Sequence, residues 1–374
     1  MELIKPGKTF NFMRFRGLLG TLSFLLVLGS LASLFWPGPN FGIDFQGGTE
    51  LQLRFRGNVS AGKVRQTLEK LGYERPEVVN VEGSSREFMI RVQQVSSLSK
   101  SELQKIRQGL TTRLGAQLKN VSVSPGGDKI TLRMAGEADP GELHIALRDA
   151  GAKVRLVEAA GKRSEHRYEA QLLGVADEMV RGLRQALGSA GPEDPRRVEW
   201  VGPKAGEQLR SAALKALLYA VGFIMVYVAF RFDLRFAPGG VLALFHDVVI
   251  TLGVYVLLRK QVNLTTIAAL LTVLGYSIND TIVVYDRIRE NMGRFRDKSL
   301  FDLINLSTSQ MLARTLITSG TTLLSIGAFF IWGTEVIQDI AFALLIGIGI
   351  GTYSSIYIAA PMTEWMDRRF FRGV

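Results

Sequence analysis

The chain has no cysteine among its 374 residues and only three histidines, His144, His166 and His246, at scattered spacings. Absence of cysteine excludes a disulfide scaffold, a thiolate metal site and a thiol nucleophile. Three histidines so placed leave a zinc site short of ligands. No G-x-x-x-x-G-K-[ST] run occurs either, so ATP hydrolysis is not expected of this chain. No Ser/His/Asp grouping stands out, and the chain is not expected to be an enzyme or to carry a cofactor.

What is present is apolar residue in long runs. Hydrophobic residues make up 47% of the chain, concentrated at 15–36 and 209–360 around a polar stretch at 37–208. The net charge of +11 first suggests nucleic acid, but its placement argues against that. Residues 37–208 hold 26 Lys/Arg and 22 Asp/Glu, leaving 19 and 12 for the apolar parts and their loops. The excess therefore lies at membrane edges, with no set of aromatics for stacking bases.

A spanning helix needs about 20 mostly apolar residues. Six stretches qualify, near 15–36, 211–230, 238–258, 265–285, 313–332 and 340–360. The run GLLGTLSFLLVLGSLASLFW exceeds a signal-peptide core and no A-x-A site follows it, so it reads as an uncleaved anchor. With a cytoplasmic N-terminus, one side carries Lys5, Lys8, Arg14, Arg16, Arg231, Arg235, Arg287, Arg289, Arg294, Arg296, Lys298, Arg368, Arg369 and Arg372. The short loops of the other side carry only Arg259 and Lys260. The positive-inside rule then predicts cytoplasmic termini and a translocated, periplasmic 37–208.

Within that polar stretch, TELQLRF (49–55) alternates as a half-buried strand does. A helical pattern follows through Val64, Leu68 and Leu71, capped by Ser60 and closed by Gly72. Strand-like EVVNVEG and EFMIRVQ come next, then a second helical pattern from near Ser99, which suggests a ferredoxin-like α+β unit. The order then recurs: LRFRGNVSAGKVRQTLEKLGY (53–73) aligns with LRMAGEADPGELHIALRDAGA (132–152) at an offset of 79. Two related modules, about 49–120 and 125–200, are expected. One continuous sheet and two separate lobes both remain open. The carboxylates here are scattered among basic residues as on a solvated face, and a binding or lever role is expected.

Ionisable residues inside apolar spans are costly and mark function. These are His246 and Asp247 in the third span, Asp280 in the fourth, and Arg314 in the fifth. An Asp280–Arg314 pair is the simplest way to house both charges, with a packing clamp as the plainer reading; His246–Asp247, beside Asn279, makes a further intramembrane polar site. Burial favours the neutral form of a carboxyl group and a neighbouring cation the ionised form, so movement between such environments binds and releases protons. In the last span, Gly347-x-x-x-Gly351 allows close helix contact, with a neighbouring span or with a partner subunit.

Several long motifs now stand in order: FGIDFQGGTEL (41–51), VGPKAGEQL (201–209), LFHDVVITLG (244–253), LLTVLGYSINDTIVVYDRIREN (270–291) and ARTLITSGTTLLS (313–325). With them the chain closely resembles the SecF family, membrane subunits of the bacterial Sec protein-export machinery. The resemblance implies an α-helical membrane protein of RND-like half-transporter type, six transmembrane helices with an external α+β domain. It implies SecD, a SecY-containing translocon, unfolded exported polypeptide and membrane lipids as partners. The proton-motive force would drive late, ATP-independent stages of export. The family motifs fall on Gly42, Asp44, Gly47, Gly48, Gly202, Pro203, Gly275, Tyr276 and Ser277, and the family's proton-conduction positions on Asp280 and Arg314. Family members usually have one external module, so the second copy near 125–190 is a departure. An RND-type proton-driven exporter of small molecules or lipids is the alternative, against which stands a chain with half the usual spans.

Overall fold

The structure is a computed structural model that describes residues 9–81, 84–94, 100–124, 129–162 and 165–371. Lys5, Lys8, Arg372 and the helix start near Ser99 lie outside these residues. The chain forms two compact units, 1–42 with 211–374, and 43–210.

The first unit opens with helix α1 (Arg16–Phe35) and a two-residue strand β1 (Asn40–Phe41). The second begins with the short helix α2 (Ile43–Gln46), then β2 (Gly48–Arg54), α3 (Ala61–Lys70), β3 (Glu77–Asn80) and β4 (Glu87–Val92). Leu51, Leu53 and Phe55 point inward on alternate residues, and Ser60 accepts from the Lys63 amide at 3.3 Å to cap α3. The chain continues through α4 (Lys100–Leu114), β5 (Leu118–Val123), β6 (Lys129–Met134) and α5 (Pro140–Asp149). It closes with β7 (Val154–Ala159), β8 (Arg167–Leu172), α6 (Val175–Leu187) and β9 (Arg197–Val201).

Helices α3 and α5 occupy 61–70 and 140–149, an offset of 79 from end to end. Each repeat runs β-α-β-β-α-β, one strand longer than the sequence pattern suggested, because β5 and β9 are short and little buried. The two sheets are antiparallel, in the orders β3-β4-β2-β9 and β5-β6-β8-β7. The last strand of each repeat therefore lies in the other repeat's sheet: β9 pairs with β2, and β5 with β6. The helices follow their strands. Val175, Met179, Val180 and Leu183 of α6 complete the core under β2 and β4, while Ile106 and Leu110 of α4 complete the core under β6 and β8. Neither lobe is one continuous repeat. The terminal αβ arms are exchanged, and the segment α4 to β8 is inserted in space between β4 and α6. Burial, with the Glu178 charge from α6 next in weight, pushes the Tyr73 phenol up to about 12.

The return to the first unit is made by α7 (Pro203–Arg231), followed by α8 (Ala237–Leu257), β10 (Gln261–Val262), α9 (Leu264–Arg294) and α10 (Leu300–Trp332). Then come α11 (Glu335–Ser354), a π-helical stretch Ser355–Ala359 and α12 (Ala360–Met366). Among the described residues six helices are long and apolar enough to cross a membrane. Helices α9 and α10 are longer than their apolar runs predicted. Amphipathic extensions carry them on, one past residue 285 through Ile288 and Asn291, the other beginning at Leu300, Leu303 and Ile304, all buried.

Gly347 and Gly351 sit against α9. A Cβ on Gly347 would stand within 2.2 Å of Val273 Cγ2, and one on Gly351 within 2.9 Å of Ser277 Cβ. The G-x-x-x-G motif thus serves packing between helices of one chain. Where the π-helical stretch meets Pro361, the Ala359 carbonyl accepts from the Tyr285 hydroxyl at 3.1 Å and from Thr363 Oγ1 at 3.0 Å, so the distorted turn leaves it satisfied.

Candidate functional site

The buried polar residues of the membrane unit converge where α8, α9, α10 and α11 meet. On α9, Ser277, Asp280 and Thr281 are spaced three and four residues apart, which places them on one helix face. All three are buried. The opposing residues come from α8 and from the α10 and α11 stretches rich in Ser and Thr.

Asp247 is fully buried. Its Oδ2 accepts from Ser277 Oγ at 2.5 Å and from Ser354 Oγ at 2.8 Å, and its Oδ1 bonds His246 Nδ1 at 2.8 Å. The His246 ring stacks on Tyr353, with centroids 6.1 Å apart, and its Nε2 has no hydrogen-bond partner. One turn along α9, Asp280 Oδ2 accepts from Ser319 Oγ at 3.1 Å, and Ser319 accepts from Thr352 Oγ1 at 2.9 Å. Thr281 and Ser355 exchange a bond of 2.9 Å beside them.

Arg314 differs from the simple expectation. It lies on α10 five residues before Ser319, it is exposed, and no ion pair joins it to Asp280. A hydroxyl, not a guanidinium, is the direct partner of the buried carboxylate. At 100° per residue, positions 314 and 319 differ by about 140° in direction, so Ser319 faces α9 directly while the Arg314 charge acts on Asp280 without an ion pair. Asn279 is also exposed and takes no part in the His246–Asp247 cluster. Gly275 is exposed with open space at its Cβ, and the Tyr276 hydroxyl bonds Thr322 Oγ1 at 3.2 Å.

The remaining motif residues build the chain's passage between its parts. The Gly42 amide donates to the Val262 carbonyl at 2.9 Å, beside the β1–β10 pair. Asp44 sits in the first turn of α2. Gly47 and Gly48 have φ of +76° and +128°, and a Cβ on Gly48 would stand 2.5 Å from the Val92 carbonyl oxygen. Only glycine allows this backbone to turn into β2 at that distance. Gly202 and Pro203 join β9 to α7, whose Gly206 lies against the Gly47 amide, so two separated motifs meet at one turn.

Ser319, Thr352, Ser354 and Ser355 were not singled out from the sequence. The available signal was hydroxyl side chains recurring within apolar helices, in TLITSGTT and GTYSS. Among the described residues no group of three or more His, Cys, Asp and Glu side chains could hold a metal ion.

This arrangement defines a multi-pass membrane protein with an acidic, hydroxyl-lined centre between its helices. Residues 185–369 match the family described as "Protein export membrane protein SecD/SecF, C-terminal", and residues 32–59 match the "SecD/SecF GG Motif". The protein translocase subunit SecF of Magnetococcus marinus is 39% identical over 367 residues, covering 98% of this chain and 95% of the relative. That of Koribacter versatilis is 35% identical over 385 residues, covering 97% and 92%. The crystal structure of SecDF, a translocon-associated membrane protein from Thermus thermophilus, superposes with a TM-score of 0.65 at 31% identity. It covers 97% of this chain, which spans 39% of that longer one. The chain belongs to the SecF family of protein translocase subunits. It is a multi-pass protein of the inner membrane, and these relatives do not favour the small-molecule exporter reading.

Proposed function

We propose that this chain works with SecD beside a SecY-containing channel. There it uses the proton-motive force to promote late export of unfolded polypeptide, with no cofactor and no enzymatic step of its own. Both termini are cytoplasmic and residues 37–208 periplasmic in this reading, which rests on the distribution of basic residues around the spans.

The observation that carries the proposal is Asp280, buried in an apolar helix and bonded to the Ser319 hydroxyl at 3.1 Å. A hydroxyl can donate to a carboxylate or accept from a carboxylic acid, so this contact survives either protonation state. An ion-paired aspartate would lack that freedom. Exposed Arg314 is free to approach the acid when the helices shift, or to meet a group of the SecD partner.

The test is reporter secretion in cells whose only copy is Asp280→Asn, with assembly with SecD checked by copurification. Gradient-dependent secretion is expected to fall to the level seen with the gradient collapsed, while the protein still assembles. Full secretion by an assembled mutant contradicts the proposal.

A further inference from the structure

A cavity of 720 Å³ lies in the membrane unit between α1, α8 and the segment around α12. One face of α1 lines it from Arg16 through Gly20, Phe24 and Val27 to Leu31. At 1.5 Å per residue that stripe is about 22 Å long, more than one leaflet of hydrocarbon. Leu242, Phe245, Met362 and Trp365 give the facing wall the same apolar character.

The cavity is polar at one end. Arg16 Nη1 lies 2.7 Å from Glu364 Oε2, and Arg368 pairs with the same carboxylate. Glu364 is buried, whereas the Arg368 side chain is 52% exposed. Two guanidinium groups around one carboxylate leave a positive charge at the mouth with donors unused. Deeper along the wall is His246, 3% exposed, whose Nδ1 is taken by Asp247 and whose Nε2 has no partner.

These features follow one another as the parts of an amphiphile do: cationic mouth, an unpartnered nitrogen, then a long apolar stripe. A polypeptide segment lying here would need partners for its backbone amides and carbonyls, which an apolar wall does not offer. A lipid tail needs none. A zwitterionic headgroup would set its own cation beside Arg368.

We propose that this cavity holds one anionic glycerophospholipid. Its phosphate meets Arg16 and Arg368, its glycerol-ester region passes His246, and an acyl chain lies along α1. The site borders the polar centre through His246, but contains none of Asp280, Ser319 or Thr352, and does not depend on the export reading.

The test is native mass spectrometry on the full chain, alone and with SecD, taken from vesicles of equal dioleoylphosphatidylglycerol and dioleoylphosphatidylcholine. One phosphatidylglycerol is expected to be retained about fivefold over phosphatidylcholine, the preference one net cation near a headgroup supplies. Arg368→Gln should remove that preference. Gly20 has open space at its Cβ, so Gly20→Phe should set a ring across the apolar stripe and lower total lipid retention about fivefold with unchanged thermal unfolding. Equal retention of the two lipids overturns the proposal. So does undiminished retention by Gly20→Phe. Loss of the lipid whenever SecD is bound also overturns it, by giving the cavity to a partner helix.

Discussion

The sheets of the α+β unit and the centre of the membrane helices hold their carboxylates in opposite ways, although Glu364 at one end of the membrane unit is cation-paired like the sheet acids. In the α+β unit, the acids that face the first sheet are matched by cations: Arg91 bonds Glu50 and, at 3.0 Å, Glu77, while Arg196 reaches Glu87 at 3.1 Å. At the centre of the membrane helices Asp280 is held by the Ser319 hydroxyl, and Asp247 by the hydroxyls of Ser277 and Ser354 beside its His246 contact. Pairing with a cation fixes an acid as a carboxylate, and losing either partner strands a charge. Bonding to hydroxyls lets an acid change protonation state without losing its contact. The first arrangement holds a sheet together. The second suits a group that handles protons.

The α+β unit invites the largest disruption. Deleting 125–190 looks like removal of one repeat, but it takes away α6, whose Val175, Met179, Val180 and Leu183 lie in the first core. At about 1.5–3 kcal/mol for each buried side chain, the loss is roughly 6–12 kcal/mol, enough to unfold the unit. Deleting 100–172 removes the inserted lobe and leaves β2, α3, β3, β4, α6 and β9 together. Limited proteolysis should find the remaining α+β segment protected in the second variant and digested in the first. Equal protection would mean that the arms are not exchanged.

Neutralising one acid in each unit sharpens the comparison. Glu50→Gln removes one of the carboxylates that the buried Arg91 bonds, and about 3 kcal/mol of destabilisation is expected. Asp280→Asn keeps an acceptor for Ser319, so its effect on stability should stay within about 1 kcal/mol. Thermal unfolding of both variants measures this, and an equal drop would erase the distinction between the units. The smallest contrast lies along one helix pair. Gly347→Ala drives a methyl group into Val273 and should cost about 1–3 kcal/mol, while Gly275→Ala enters open space and should be near neutral in the isolated chain.

Much of this was legible in the residues. The spans, the repeat at an offset of 79, the Ser60 cap and the unusual charges at 246, 247, 280 and 314 all stand in the sequence. The fourth strand of each repeat was not. LKNVSV and RVEWV are edge strands with weak burial patterns; LKNVSV pairs with β6 directly after it, in the other repeat, while RVEWV pairs with β2 far back along the chain. The Asp280–Arg314 pair was inferred from charge alone. Ser319 took that position because side-chain direction around α10, not opposite sign, decides which group meets α9.

The sequence by itself determined the number of apolar helices, the existence of two related modules and the family, because hydropathy, periodicity and motif are properties of neighbouring residues. Tertiary structure alone decided which sheet each αβ arm joins. The repeats are alike, so either sheet offers each arm a matching edge, and only the packing of the whole unit distinguishes them. It likewise decided that G-x-x-x-G packs within the chain and that Asp280 rests on a hydroxyl. Such contacts depend on the rotation and depth of several helices at once, and no local pattern encodes that.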